Sequence, residues 1–365
     1  VRGLNKMENY SNPGKVLMIL TSVLVALGVL LLYSASRSIS TIQTGLPVYI
    51  KQMIWVIFGI VIFVWLKDFD YRHWNKLAHV LYLLTLILLV VVLVIGTGRA
   101  GRWIKIGWFN FQPSEFAKFV LIIVLARYFA IRDVQRFSTL FGGVLIVGIP
   151  FLLILVQPNL GTAFLFIIIF FAMAYLAGAK VKHLLILLAV GILMSPFLWM
   201  GLKDYQKQRL VIFMNPWKDP LGKGYNILQS KITIGSGGII GKGFLKGTQT
   251  KLAFLPEFHT DFIFCLLAEE FGLIGVFVLL FLYYVFLTQA LRIILTTQDP
   301  FGRLVGTGIM VMLVVQIFVN IGMASGILPV AGIPLPFLSY GGSAMLVCFI
   351  CVATLYNLHK NTTLF

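Results

Sequence analysis

Two acidic side chains and an imidazole stand close together where a long polar stretch of the sequence returns to an apolar run. Glu257, His259 and Asp261 occur within five residues, and Phe262 opens the apolar run. These residue types carry out many proton transfers in enzymes, because their surroundings can bring their pKa values near the working pH. We therefore expect chemistry at this junction. Asp261 also suits a helix N-cap, a role that Asn fills about equally.

A second acid–base pair begins an apolar helix. Glu115 and Lys118 follow the helix-start signal Gln112-Pro113-Ser114, and residues three apart share one face of a helix. On a solvated surface such a pair contributes roughly a few tenths of a kcal/mol. Lys118, however, is followed by a run of apolar residues, and an ionisable group at membrane depth is by default a functional candidate. We favour a functional role over a simple helix-start ion pair.

Cations cluster in two polar loops. Arg99 and Arg102 lie in the glycine-rich loop 96–114, and a planar guanidinium binds a phosphate group through two parallel hydrogen bonds. The stretch 202–270 carries nine of the 29 Lys and Arg residues. Within it, Lys242 lies in the glycine-rich segment 235–243, which we expect to be flexible backbone that approaches a substrate closely. An anionic partner is the simplest explanation for these charges.

The elements that must position these groups are apolar helices. Of the 365 residues, 59% are hydrophobic and 11% are charged, whereas a soluble domain carries about 25% charged residues. Successive apolar runs approach the ~20 residues that cross a bilayer as a helix. The sequence therefore predicts an all-α polytopic membrane protein of about ten transmembrane helices, with a large extracytoplasmic loop between helices 7 and 8. The predicted spans are 16–34, 48–66, 77–95, 115–131, 140–156, 162–178, 184–201, 262–288, 304–324 and 343–358.

The distribution of Lys and Arg predicts the orientation of the chain. With the amino terminus inside, the inner segments carry more than twice as many cations as the short outer loops, as the positive-inside rule requires. Both termini are then cytoplasmic. The predicted segments are a cytoplasmic 1–15, of which 1–6 resemble a tag scar, helices 1–7 over 16–201, an extracytoplasmic loop over 202–261, helices 8–10 over 262–358, and a cytoplasmic tail over 359–365.

Two further features concern polar groups at membrane depth. Glu269 and Glu270 fall in the eighth span, and we expect both to be buried or to face a cavity, because exposure to lipid is costly. The segment 326–343 is proline-rich, apolar and uncharged. Such non-helical backbone is tolerated at membrane depth only where it packs against protein or lines a cavity, so we expect it to fold back onto the helices.

Taken together, the motifs of the chain resemble those of the SEDS (shape, elongation, division and sporulation) family. The resemblance runs from the first predicted helix to the tenth, and several long motifs occur in order. The chain length and the segment 268–275 place it nearer to the RodA branch than to the FtsW branch. One position departs from the family pattern, because Asn159 stands where the family often has Asp. The motifs that carry the resemblance are Gly98-Arg99 with Arg102-Trp103, Gln112-Pro-Ser-Glu-x-x-Lys118, Gln157-Pro-Asn-Leu-Gly-Thr162, Leu255-Pro-Glu-Phe-His-Thr-Asp-Phe262 and Pro334-Leu-Pro-Phe-Leu-Ser-Tyr-Gly-Gly-Ser343.

The resemblance implies a peptidoglycan glycosyltransferase that polymerises lipid II into β-1,4 glycan strands for cell-wall elongation and rod shape, with inversion and with undecaprenyl diphosphate leaving. It implies Asp261 as the general base, or as the residue that orients the acceptor. Arg99, Arg102 and Lys118 become candidates to stabilise the departing diphosphate, and Glu115 to position Lys118 or a sugar hydroxyl. The remaining candidates for substrate binding are Glu257, His259, Lys242 and Ser339.

The resemblance also implies partners. These are a class B penicillin-binding transpeptidase, the elongation machinery and membrane lipids, and no nucleic acid is expected. Two other functions stay open from the residues alone: a lipid II flippase, and a scaffold without catalytic activity that recruits the transpeptidase. No cofactor is certain, and the sequence leaves the involvement of a divalent cation open.

Overall fold

The computed structural model describes residues 12–37, 46–97, 101–107, 109–201, 204–222, 224–252 and 254–362. Helices dominate this part of the chain, with one short hairpin and a single 3-10 turn over Pro216–Lys218. The elements in order are α1 (Pro13–Ala35), α2 (Val48–Leu66), α3 (Arg72–Ile95), β1 (Ile104–Ile106), β2 (Phe109–Phe111), α4 (Pro113–Ala130), α5 (Phe137–Val156), α6 (Leu160–Leu176), α7 (Val181–Gly201), α8 (Asp204–Met214), α9 (Tyr225–Ser236), α10 (Thr248–Lys251), α11 (Ile263–Thr296), α12 (Pro300–Ala324) and α13 (Gly342–Thr362).

Ten of these helices coincide with the predicted spans. Within the described ranges, seven helices are long and apolar enough to cross a membrane, namely α1, α2, α3, α5, α11, α12 and α13. Helices α6 and α7 contain shorter apolar stretches, and α4 carries three charged residues within an otherwise apolar helix. The prediction of an all-α polytopic membrane fold is confirmed.

Helix α4 lies at the centre of the bundle. Fourteen of its 18 residues are buried, as expected for a helix that is apolar on most of its surface. It packs against α3 and α12, and also against α5, α6 and α13. Pro113 occupies the first turn, where its missing N–H is not needed. The helix that carries Glu115 and Lys118 is therefore enclosed by protein rather than by lipid.

The proline-rich segment folds back onto the helices as predicted. Leu335 and Leu338 are completely buried, and side chains from three different helices bind its backbone carbonyls. Gln52 Nε2 donates to Ser339 O at 3.3 Å, Tyr283 Oη to Pro336 O at 2.6 Å and Asn320 Nδ2 to Ile333 O at 2.8 Å. A buried carbonyl without a partner is costly, so these side chains make the irregular backbone stable at this depth.

The glycine-rich segment 235–243 packs against α11, and its approach to a substrate stays a prediction. Helix α11 is broken at Gly272, whose φ is 63°, a conformation that glycine adopts without strain. The amides of Lys242 and Gly243 donate to the carbonyls of Glu269 and Glu270 at 3.0 and 2.9 Å. A Cβ added at Gly241 would meet Glu270 O at 2.2 Å. The glycines therefore serve a close packing of backbone on backbone.

The sequence interpretation missed the hairpin. Strands β1 and β2 are antiparallel, with Ile104 opposite Phe111, and they turn at Gly107, whose φ is 57°. Each strand has only three residues, too few for the alternating pattern to stand out from a loop. The hairpin links Arg102 and Trp103 to the start of α4.

Candidate active site

The backbone around Asp261 is fixed by donors from elsewhere in the chain. The carbonyls of three successive residues each accept a hydrogen bond: His259 O from Tyr340 N at 3.0 Å, Thr260 O from Ser339 Oγ at 2.6 Å, and Asp261 O from Asn320 Nδ2 at 3.0 Å. Buried apolar side chains flank this segment on both sides. These hydrogen bonds position Asp261 through the backbone, and its carboxylate takes no part in them.

The Asp261 side chain lines a polar cavity of about 240 Å³ between the loops at one end of the bundle. The proline-rich segment, the residues that flank the hairpin, α8 and the first turn of α13 all contribute to it. Asp261 itself is partly exposed to this space. The lining residues are Arg102, Trp103, Gln112, Arg209, Glu257, Thr260, Asp261, Val330, Gly332, Pro334, Tyr340, Gly341, Ser343 and Ala344.

The surroundings of Asp261 favour its protonated form. Burial raises its pKa to about 6, the neighbouring Glu257 carboxylate acts in the same direction, and Arg209 and Arg102 act against it. Burial lowers the pKa of His259, and Glu257 opposes that change. The N-cap position of α11 belongs to Phe262, so the structure does not support a capping role for Asp261. A carboxylate with a pKa near 6 suits a general base near neutral pH.

The structure describes one of the two arginines predicted in the loop 96–114, Arg102. Arg102 lines the cavity, and its guanidinium donates to the backbone carbonyls of Gln157, at 3.1 Å, and of Pro158. It therefore ties the hairpin to the turn before α6 while adding positive charge near Asp261. In that turn Asn159 Oδ1 accepts from Thr162 N at 3.4 Å as the N-cap of α6, which is a role that does not require the carboxylate of Asp. Arg99 lies outside the described residues.

Arg209 is the cation that sequence reasoning missed. It was one of nine in the long stretch, and only the fold shows that α8 brings it to the same cavity as Asp261. It also lines a second, apolar groove of about 170 Å³ between α6, α8 and α12. Arg209 and Val330 belong to both linings, so the polar cavity and the apolar groove adjoin at these two residues.

Glu115 and Lys118 lie beneath the cavity. Lys118 Nζ and Glu115 Oε2 are 2.7 Å apart, and both side chains are at least 95% buried. Glu115 borders a small pocket that shares Pro334 and Ala344 with the wall of the Asp261 cavity. The expected pair exists, but Lys118 is not among the residues that line the cavity.

Two other predicted substrate-binding residues have structural partners. Ser339 uses its hydroxyl to donate to Thr260 O and to accept from Leu335 N at 2.8 Å, so it positions the Asp261 segment. Lys242 Nζ is 2.7 Å from Glu269 Oε1 and lies apart from the cavity lining. Glu270 accepts from Ser34 Oγ. The expectation that Glu269 and Glu270 are buried is confirmed, and Lys242 and Ser34 are the partners that the sequence did not indicate.

The carboxylates around Asp261 do not by themselves form a complete ligand set for a divalent cation. Such ions take several oxygen ligands, and the cavity offers two carboxylates, Asp261 and Glu257, beside the cations Arg102 and Arg209. Within the described part of the chain, no group of three or more His, Cys, Asp and Glu residues is placed to hold a metal.

The fold and this site define a polytopic membrane protein with a polar, carboxylate-centred cavity beside an apolar groove. Residues 15–364 match the family model described as cell cycle protein, which covers FtsW, RodA and SpoVE. The chain belongs to this family. It is 42% identical over 345 residues to the peptidoglycan glycosyltransferase MrdB of Escherichia coli K12, covering 93% of each chain. It is 36% identical to stage V sporulation protein E of Bacillus subtilis, covering 96% of this chain and 98% of the relative.

Two solved structures are similar to this chain in fold and sequence. A chain of the structure described as "Structural coordination of polymerization and crosslinking by a peptidoglycan synthase complex" is 31% identical, with a TM-score of 0.82 over 95% of this chain and 97% of that one. The rod shape determining protein RodA of Thermus thermophilus is 29% identical, with a TM-score of 0.70 over 94% and 96%. The chain is thus a multi-pass bacterial membrane enzyme of the peptidoglycan glycosyltransferase type, and the comparisons favour this function over the flippase and the scaffold.

Proposed function

We propose that the chain polymerises lipid II at the Asp261 cavity. The observation that carries the proposal is the adjacency of three environments: a carboxylate with a raised pKa, a cation, and an apolar groove. A lipid-linked diphospho-sugar has the same three parts in order, namely a sugar, a diphosphate and a prenyl chain. The sugars then lie beside Asp261, the diphosphate at Arg209, and the first part of the prenyl chain in the groove.

The chemical step is an in-line displacement. The acceptor 4-hydroxyl oxygen attacks the donor anomeric carbon, the bond from that carbon to the diphosphate oxygen breaks, and the prenyl diphosphate leaves with the electron pair. Asp261 accepts the hydroxyl proton. Arg209 and Arg102 stabilise the charge on the leaving diphosphate, because guanidinium groups in a site of restricted solvent access oppose developing negative charge strongly. The α-linked donor thereby becomes a β-1,4 linkage.

The orientation follows from the two ends of the bundle. Asn12, at the start of α1, and His359, near the end of α13, lie 2.7 Å apart between Oδ1 and Nε2, which supports an even number of crossings with both termini on one side. The positive-inside bias assigns that side to the cytoplasm. The Asp261 cavity then opens on the extracytoplasmic side of the inner membrane.

The partner is a class B penicillin-binding transpeptidase of the elongation machinery. A related structure is described as a peptidoglycan synthase complex that coordinates polymerization and crosslinking, and a glycan polymerase needs such a second activity to build a network. The proposal as a whole is tested with purified protein, alone and with the transpeptidase, given labelled lipid II. Glycan ladders support it, whereas translocation without ladders would return the flippase to consideration.

Arg209→Gln is expected to weaken binding of undecaprenyl diphosphate by roughly ten- to a hundredfold, since a hydrogen bond to a charged group is worth about 1.5–3 kcal/mol. Isothermal titration or ligand-induced stabilisation of the purified protein measures the change. Lys218→Gln, which removes a cation of the same stretch that does not line the cavity, serves as the control and is expected to bind normally. Equal binding by both variants would remove Arg209 from the site.

Polymerisation is expected to fall as the pH drops below about 6. The base must be unprotonated to accept the acceptor proton, and burial and Glu257 place the pKa of Asp261 at about 6. Initial rates between pH 5 and pH 8, measured with saturating lipid II, give the acid limb. Glu257→Gln removes a carboxylate that raises this pKa, so it is expected to move the limb to lower pH. An acid limb that is identical in the two proteins would contradict the assignment.

A further inference from the structure

A large cavity lies at the end of the bundle opposite Asp261. Asn320, which contacts the Asp261 backbone, and Arg303, which lines this cavity, are both on α12. Seventeen residues of helix separate them, or roughly 26 Å along the axis. The cavity has a volume of about 320 Å³ and is formed by the last turns of α4, α6 and α11 and the first turns of α12.

The walls of this cavity are mainly apolar and reach the outer surface of the bundle. Phe129 and Leu304 are buried in its floor. Leu176, Leu291 and Leu295 also line it and are 54%, 40% and 67% exposed. Apolar side chains exposed on the outside of a transmembrane bundle face lipid, so the cavity is open to the hydrocarbon of the bilayer near one interface.

Arg303 places a positive charge on this apolar cavity. It is the fourth residue of α12, where the helix dipole disfavours a cation. The nearby Asp299 carboxylate accepts from Gly302 N at 2.9 Å as the helix cap, and no ion pair joins Arg303 to a carboxylate among the described residues. The lining includes no acidic residue, and Gln298 adds amide donors. The side chains that line the cavity therefore include a positive charge and no negative charge.

We propose that this cavity binds an anionic phospholipid of the surrounding leaflet, with the phosphate at Arg303 and Gln298 and an acyl chain against the leucines. Charge complementarity and the apolar walls together select the ligand. A free phosphate satisfies Arg303 but leaves the walls empty, and a zwitterionic lipid fills the walls while bringing its own cation to Arg303. The proposal does not depend on the function of the Asp261 cavity, because the two sites share no lining residue.

Native mass spectrometry of the purified full chain tests the lipid-binding proposal. Phosphatidylglycerol and phosphatidylcholine of equal chain length are offered together. The parent protein is expected to retain phosphatidylglycerol preferentially. Arg303→Gln is expected to reduce that retention about tenfold, the loss typical of one charge-assisted contact. Arg292→Gln is the matched control, since Arg292 is an exposed arginine beside Leu291 that does not line the cavity, and it is expected to retain the lipid normally.

A second variant separates the apolar part of the site from its charge. Thr307→Met places a longer side chain inside the cavity, which Thr307 lines, while leaving Arg303 unchanged, and it is expected to reduce retention of phosphatidylglycerol. Equal retention of both lipids by the parent would overturn the proposal, and so would parental retention by Arg303→Gln. A normal thermal transition in each variant shows that the loss is one of binding rather than of folding.

Discussion

Asp261→Asn is expected to reduce lipid II polymerisation by at least about 10²-fold, the lower range for the loss of a general base. The amide keeps the shape of the side chain, and the hydrogen bonds that fix the segment involve the backbone of Asp261 rather than its carboxylate. The variant is therefore expected to insert, fold and associate with the transpeptidase normally. Glycan ladders from purified protein measure the activity.

Although the same variant is expected to lower activity, it is expected to increase stability at neutral pH. The pKa of Asp261 is raised in the folded protein to about 6, above about 3.9 in an unfolded chain. Its protonated form therefore favours folding below about pH 4, and this contribution is lost as the pH rises through 6. Asp261→Asn is expected to have a higher Tm than the parent at pH 7 and an equal Tm near pH 4.

If Asp261→Asn polymerises lipid II near the parental rate, Asp261 is not the catalytic base, and the catalytic carboxylate must be sought at Glu257 or Glu115.

Lys118→Met is expected to lower the free energy of unfolding by roughly 3–5 kcal/mol, because it leaves the Glu115 carboxylate buried without its partner. The 2.7 Å pair is nearly inaccessible to solvent, so water cannot replace the lost contact. Thermal unfolding in detergent measures the change. We also expect loss of polymerisation, but from the single variant that loss has two explanations, a disturbed fold and a missing charge.

The double variant Glu115→Gln with Lys118→Met distinguishes these explanations. It removes both charges, and replacing a buried pair on both sides is often nearly neutral for stability. If the pair only holds α4 in place, the double variant recovers both Tm and polymerisation. If the charges act in the reaction, Tm recovers and polymerisation does not. We expect the second result, and recovery of both properties would return the pair to a purely structural role.

The sequence predicted the apolar helices well, because a span of about 20 apolar residues has few alternatives. It also predicted that the proline-rich segment must fold back, since its carbonyls require partners. It did not indicate which partners, because Gln52 and Tyr283 lie on helices far away in the sequence. Only the packing of α2 and α11 brings these side chains to the segment.

It was harder to predict from the sequence which charged residues come together in the fold. Glu115 and Lys118 are close in sequence, so helical geometry alone predicted their pairing. Arg209 and Asp261 are separated by a loop whose path depends on contacts across the whole bundle, and no local pattern distinguished Arg209 from the eight other cations. Lys242 was expected near a substrate because glycines surround it, whereas those glycines allow packing against the break at Gly272.

The contacts that α13 makes beside the cavity have a consequence for the stage of synthesis at which the site is complete. Ser343 Oγ accepts from Gln112 N at 3.0 Å, and Ser343 and Ala344 complete the wall of the cavity. Both residues belong to α13, which is synthesised after the other elements that line the cavity. A nascent chain that has inserted Asp261 but not α13 therefore has an open and incompletely anchored site. We therefore expect a nascent chain to make no glycan until α13 has been inserted beside the cavity.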